Sequence, residues 1–113
     1  MYTSFIQSPA RNFLFIKDSY TVRKVVIADI LYIEAMGDYV KIVTACKSFT
    51  LHSTLKYWED RLAEFDFVKV HRSYLVQVSK IEHIQDGCIG VANTSIPLAE
   101  SYKQSVFSVL NVV

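Results

Sequence analysis

Residues 67–78 read FVKVHRSYLVQV, from Phe67 to Val78. Phe67 to Val70 alternates in the manner of a strand with one wet face, and Tyr74 to Val78 is almost wholly apolar. Between the two runs stand His71, Arg72 and Ser73: an imidazole, a guanidinium and a hydroxyl. A strand that ends in a polar turn projects such side chains beyond the edge of its sheet. The stretch therefore reads as β structure and, at its middle, as a candidate contact surface.

The same reading extends in both directions. Upstream, FLFIKD from Phe13 leads to a turn at Asp18-Ser19, followed by VRKVVI, ADI and LYIEA, with a turn at Met36-Gly37-Asp38. In YVKIVTA, Val40 and Ile42 fall on one side and Lys41 on the other. Cys46-Lys47-Ser48 turns the chain into FTLHS, a hairpin. The period then changes. Leu55, Trp58, Leu62 and Phe65 mark one face of a helix of about three turns, with Ser53 or Thr54 as its N-cap and Lys56, Glu59, Asp60 and Arg61 for its wet side. Downstream, IEHIQD and CIGVAN form a hairpin about Gly87, IPLA is a last short strand, and Tyr102, Val106 and Val109 mark a C-terminal helix. Ile30-x-x-Ile33 is echoed by Ile81-x-x-Ile84, which suggests two similar hairpin layers without a fixed repeat. About eight short strands and two short helices predict a mainly β, antiparallel domain.

The chain has 113 residues, of which 51% are hydrophobic, with seven Phe, seven Tyr and one Trp. One domain of this size buries roughly 60–70% of its unfolded surface, enough for a core without disulfide or metal. Residues 1–11, MYTSFIQSPAR, lack periodicity and read as a linker or a trimmed end, leaving 12–113 as the domain. Net charge is +1, so any anion-binding surface must arise from local placement. Cys46 and Cys88 lack a CxxC spacing and suit reduced, partly buried thiols in a cytoplasmic protein. No apolar run approaches the roughly 18 residues of a membrane helix, and no signal peptide is evident.

Catalytic and metal signatures are not found. His52, His71 and His83 are isolated, without HExxH spacing, and His52 and His83 read as half-exposed strand residues. His71 and Ser73 would lie about 7 Å apart on one strand face, but no oxyanion motif accompanies them. No GxSxG, GxGxxG or GxxxxGK loop occurs. The expectation is a protein that is not an enzyme and needs no cofactor or metal.

Four segments in order carry a resemblance: IADILYIEAMGDYVKI at 27–42, STLKYWEDRL at 53–62, FVKVHRSYLV at 67–76 and IPLAESYKQ at 96–104. Together they resemble the LytTR DNA-binding domain, the output module of LytR/AlgR-type bacterial response regulators, across nearly the whole chain from Phe13 to Leu110. The resemblance implies an elongated fold of stacked antiparallel β-sheets with short helices. It implies sequence-specific binding of double-stranded DNA for transcription regulation, as the output of a two-component phosphorelay. Paired direct repeats would bind a second copy on one face of the duplex. No receiver domain is present in this chain, which would make it an excised output domain or a stand-alone regulator. The alternative is a protein-interaction module pairing through exposed strand edges.

Carried over, the resemblance places DNA contacts in three turns: Gly37-Asp38-Tyr39, His71-Arg72-Ser73 and Ser101-Tyr102-Lys103. Arg72 can donate two bonds to guanine O6 and N7 or grip a phosphate, and Ser73 can donate to a phosphate. Lys41, Lys69, Lys80 and Lys103 would supply positive potential. His71 either meets DNA or holds its turn by bonding a backbone group. Gly37 suits a turn with positive φ, Asp38 either caps that turn or accepts from a cytosine amino group, and Tyr39 reads as packing. Tyr74, Leu75 and Val76 read as core. Two departures stand out. Gln77 replaces the family's Asn, and its longer arm need not close the same turn. Ala99 replaces a frequent Ser before the last helix, removing a cap worth about 1 kcal/mol that Glu100 or Ser101 would have to replace.

Overall fold

Alternation decides which residues leave water, and here it feeds three layers. The computed structural model describes residues 12–113; the expected linker at 1–11 lies outside them. Ten strands are present: β1 (Phe13–Asp18), β2 (Thr21–Val26), β3 (Ile30–Met36), β4 (Tyr39–Thr44), β5 (Ser48–His52), β6 (Phe67–His71), β7 (Tyr74–Gln77), β8 (Ile81–Gln85), β9 (Cys88–Val91) and β10 (Thr94–Pro97). Two helices accompany them, α1 (Leu55–Arg61) and α2 (Lys103–Leu110). β1 and β2 pair alone, β3 to β7 form a five-stranded sheet in the order β5-β4-β3-β7-β6, and β8 to β10 form a three-stranded sheet. Every pairing is antiparallel. The molecule is elongated, 48 × 34 × 23 Å.

The five-stranded sheet is the middle layer, because both its faces are apolar. Ile33, Val40, Ile42, Phe49 and Leu75 point to one side and pack with Leu14, Ile16 and Val25 of the first hairpin and with Leu55, Trp58 and Leu62. Tyr32, Val68, Val70 and Val76 point to the other and pack with Ile89, Val91, Ile96, Leu98 and Val106. Burial on both faces is why Tyr74 to Val76 reads as uninterrupted apolar sequence. Leu75 and Val76 are core as expected, and Tyr74 is half-buried.

The elements differ from expectation in four places. Ten strands stand where about eight were expected, and the four-residue strands β7, β9 and β10 are too short to display an alternation. The ADI run, 28–30, is not a strand of its own: Ile27–Asp29 forms a 3-10 turn, closed when Ile30 N–H donates to the Ile27 carbonyl, and Ile30 opens β3. The first helix stops at Arg61: Leu62 leaves helical geometry at φ −103°, ψ 19°. Leu62 and Phe65 still reach the same core from the turns that follow, so the stripe outlasts the helix. Thr54 is the N-cap, its hydroxyl accepting from Tyr57 N–H at 3.0 Å. Cys46, expected partly buried, is exposed in the β4–β5 turn, while Cys88 is partly covered; neither is bonded.

The expected echo of hairpin layers is concrete. A second 3-10 turn, Val78–Lys80, precedes β8 as Ile27–Asp29 precedes β3, and the flanking residues match within a few degrees: φ −79°, ψ 126° at Val26 against φ −73°, ψ 123° at Gln77. The first turn also receives Gln77, which is buried, 8% exposed. Its side-chain Nε2 donates to the Ile30 carbonyl at 2.6 Å and lies 3.2 Å from the carbonyl of Ile27. The longer arm of Gln thus locks β7 to the entry of β3. Gln77→Ala removes the buried amide donor from the Ile30 carbonyl, and a loss of about 1–3 kcal/mol in unfolding free energy is expected from urea titration. A midpoint unchanged from the parent would show that the bond is dispensable.

Candidate nucleic-acid interface

A hairpin turn sits where its strands end, so sheet order decides which turns are neighbours. β3 lies against β7, with Glu34 opposite Tyr74 and Ala35 N–H donating to the Ser73 carbonyl at 2.8 Å. The β3–β4 turn, Gly37-Asp38, and the β6–β7 turn, Arg72-Ser73, therefore emerge at the same end of the sheet. Their centres are two strand spacings apart, about 10 Å. On the outer edge, Ala99 N–H donates to the Val70 carbonyl at 2.9 Å. That bond closes part of the β6 edge and brings the 3-10 turn Glu100–Tyr102 beside the same end. The three expected contact turns are thus gathered in one row.

The turns are short and braced. Gly37 has φ +62° and open space around it, so conformation alone asks for glycine there. Asp38 is exposed and its carboxylate has no hydrogen-bond partner among the described residues, so it does not cap the turn. His71 does hold its turn: Ser73 N–H donates to His71 Nδ1 at 3.1 Å. The imidazole also meets the Tyr74 ring edge-on at 5.6 Å. Tyr74 OH in turn donates to Glu34 Oε2 at 3.0 Å. Burial raises the Tyr74 phenol above its ordinary range, and the Glu34 bond adds to that. Burial and the Glu34 charge raise Tyr32 similarly. Arg72 stands at the apex, exposed, with no ion pair among the described residues.

The expected cations are placed unequally. Lys69 lies on the edge strand with its Nζ 6.0 Å from the Tyr102 ring centroid, and Lys103 opens α2 with its Nζ 5.9 Å from that of Phe107. Lys41 is near the row but directly opposite Glu34, which offsets its charge. Lys80 is not brought to the row. It sits in the 3-10 turn after β7, near the start of β6 where Val78 N–H donates to the Asp66 carbonyl, a strand's length from Arg72. Ser101 is exposed and Tyr102 half-buried. The last helix lacks the side-chain cap expected from Glu100 or Ser101; the 3-10 turn leads into it instead, with Tyr102 N–H donating to the Ala99 carbonyl.

One residue at the row was missed. His52 closes β5 in register with Tyr39, and their rings meet edge-on at 5.3 Å, which leaves Tyr39 exposed rather than packed in the core. Only the hairpin register places His52 there. His83, by contrast, lies on β8, its ring over Gly90 where a Cβ would collide with Cε1. The row as a whole offers guanidinium, ammonium, hydroxyl and imidazole donors on projecting turns. Such donors match phosphate oxygens and base edges.

The family model described as the LytTr DNA-binding domain matches residues 20–111. The sensory transduction protein LytT of Bacillus subtilis is 29% identical over 90 residues, covering 74% of this chain and 37% of that protein. LytT of Bacillus anthracis is 26% identical over 92 residues, covering 76% and 37%. The chain thus spans little more than a third of the length of these curated relatives. A solved LytTr DNA-binding domain of a response regulator from Bacillus cereus superimposes with a TM-score of 0.77 at 20% identity, over 89% of this chain and 98% of that one.

Two outcomes follow from the brace. In His71→Ala, the Ser73 amide should exchange with solvent faster than in the parent, while stability falls by less than about 1.5 kcal/mol; equal exchange would mean the imidazole holds nothing. Both raised phenols keep their protons longer in the fold than in the unfolded chain, where they titrate near 10. Their stabilisation is full below that pH and is lost as pH climbs through the higher folded values. Urea midpoints at pH 8 and pH 11 should therefore diverge less in Tyr74→Phe than in the parent; equal divergence would remove Tyr74 from the account.

Proposed function

The chain belongs to the LytTr DNA-binding domain family, and from that membership we propose that residues 12–113 read specific sequences in duplex DNA through the row of turns at one sheet end. Arg72 carries the reading. It is a charged side chain at the apex of a two-residue turn, held out by the His71 brace and free of any carboxylate among the described residues. In a major groove it would donate two bonds to guanine O6 and N7. Ser73, Lys69 and Lys103 would hold phosphates, and Gly37-Asp38-Tyr39 with Ser101-Tyr102 would flank the central contact. Asp38, unbonded within the protein, suits a cytosine amino group.

The role that fits is transcription regulation in the cytoplasm, as the output part of a two-component regulator. The name of the LytT relatives, sensory transduction protein, supports the regulatory setting. Two copies would occupy paired direct repeats on one face of the duplex.

Selection from a random duplex pool should return an enriched motif, repeated if two copies bind. Affinity should fall with salt at a logarithmic slope of about −0.9 per phosphate contacted. Arg72→Ala should cost about 1–3 kcal/mol and relax preference at one position. A chain that binds no duplex at low salt, or an Arg72→Ala variant with the parent's motif intact, would defeat the corresponding part of the proposal.

A further inference from the structure

The first hairpin carries charge and exposure that the row of turns does not use. β1 and β2 make a sheet of their own, and the family match begins at Tyr20, so Phe13 to Ser19 lies outside it. The hairpin holds three cations, Lys17, Arg23 and Lys24, against one acid, Asp18: a net +2 in a chain whose total is +1. At its turn Ser19 takes φ +58° and Tyr20 stands fully in solvent, although a ring of that size usually finds cover. Arg23 Nε lies 3.3 Å from Asp18 Oδ2 and ties the strands beside the turn. Lys17 has no ion pair among the described residues.

The hairpin points the same way as the row. At its base Ile27 N–H donates to the Asn12 carbonyl, and the Ile27 carbonyl meets Gln77 at the end of the middle sheet remote from Arg72. Phe13 shares a groove with Ile27, Leu62 and Phe65. Further along β1, Lys17 shares a groove with His52 and Tyr57. His52 is in register with Tyr39, next to the Gly37-Asp38 turn. The Ser19-Tyr20 turn therefore emerges at the row's end of the molecule, one layer, about 10 Å, from the middle sheet.

Resting on the function proposed above, we propose that the β1–β2 tip, through Lys17 and Tyr20 with His52 along its flank, grips the DNA backbone beside the recognised site. The contact is electrostatic and indifferent to sequence. An acidic protein could meet the same charge, but the shared direction with Arg72 favours DNA.

The test compares the full chain with its Lys17→Ala/Tyr20→Ala variant, both positions being solvent-exposed, with equal urea midpoints as the folding control. On the selected duplex, the variant should bind several-fold more weakly with a salt slope shallower by about 0.9. Its backbone protection should be reduced beside the site, with an unchanged motif. A photocrosslinking residue at position 20 should label the strand flanking the site. An unaltered slope and backbone protection overturn the proposal, as does a crosslinker at position 20 that leaves DNA unlabelled and captures only polypeptide. A parent chain that binds no duplex is a different failure, and removes the underlying reading as well.

Discussion

The pairing of β3 with β7 is the constraint on which the site depends. Two segments some forty residues apart, each ending in a tight turn, become neighbours only because Tyr32, Ile33 and Glu34 lie opposite Val76, Leu75 and Tyr74. A slip of one residue would turn Ile33 and Leu75 toward the other layer, exchanging the two apolar sets. Both faces of the middle sheet are buried, so such a slip is penalised twice. The register that satisfies the two cores is therefore also the register that aligns Gly37-Asp38 with Arg72-Ser73. The grouping of turns at the sheet end is fixed by hydrophobic sorting in the interior.

Gln77 and the Ile27–Asp29 turn extend the same control to the far end. A 3-10 turn leaves carbonyls pointing inward, where no water compensates them. Gln77 supplies the donor, and in doing so it anchors β7 at its last residue while the Ser73 carbonyl, one residue before the strand, anchors its head. The Tyr74–Glu34 bond adds a side-chain link across the same strand pair. The short strand β7 is thus held at both ends, which suits the one that carries Arg72 at its head.

Much of this was legible before any coordinates. Alternation found the strands, the turn residues found their ends, and the four family-like segments singled out the three turns that the fold gathers at one sheet end. What escaped has a common physical origin: it depends on partners distant in sequence. The buried role of Gln77 depends on carbonyls fifty residues away. Lys80 is one of several lysines until the length and direction of β7 carry it away from the row. Asp38 and Glu100 belong to residue types that cap turns and helices, yet in this backbone neither does so. The reverse case is His71, whose nearest useful donor, the Ser73 amide, is only two residues away; the local reading of a turn-holding imidazole was within reach for that reason.

A nearly neutral protein can meet a polyanion when its charge is sorted rather than summed. Asp38 and Glu100 stand at the row, but other acids are engaged: Glu34 accepts from Tyr74, Asp60 pairs with Lys56 at 3.1 Å, and Asp18 pairs with Arg23. Arg72, Lys69 and Lys103 are left at the turn end without carboxylate partners among the described residues. Arg72 is presented by a two-residue turn braced by His71, Lys69 by an edge strand and Lys103 by a helix start, so little backbone freedom remains to be lost on contact. A longer, looser loop with more lysines could attract DNA as strongly but would hold no fixed geometry toward a base edge. Short turns on a doubly buried sheet give up net charge and gain position, and position is what bidentate recognition by a single guanidinium requires.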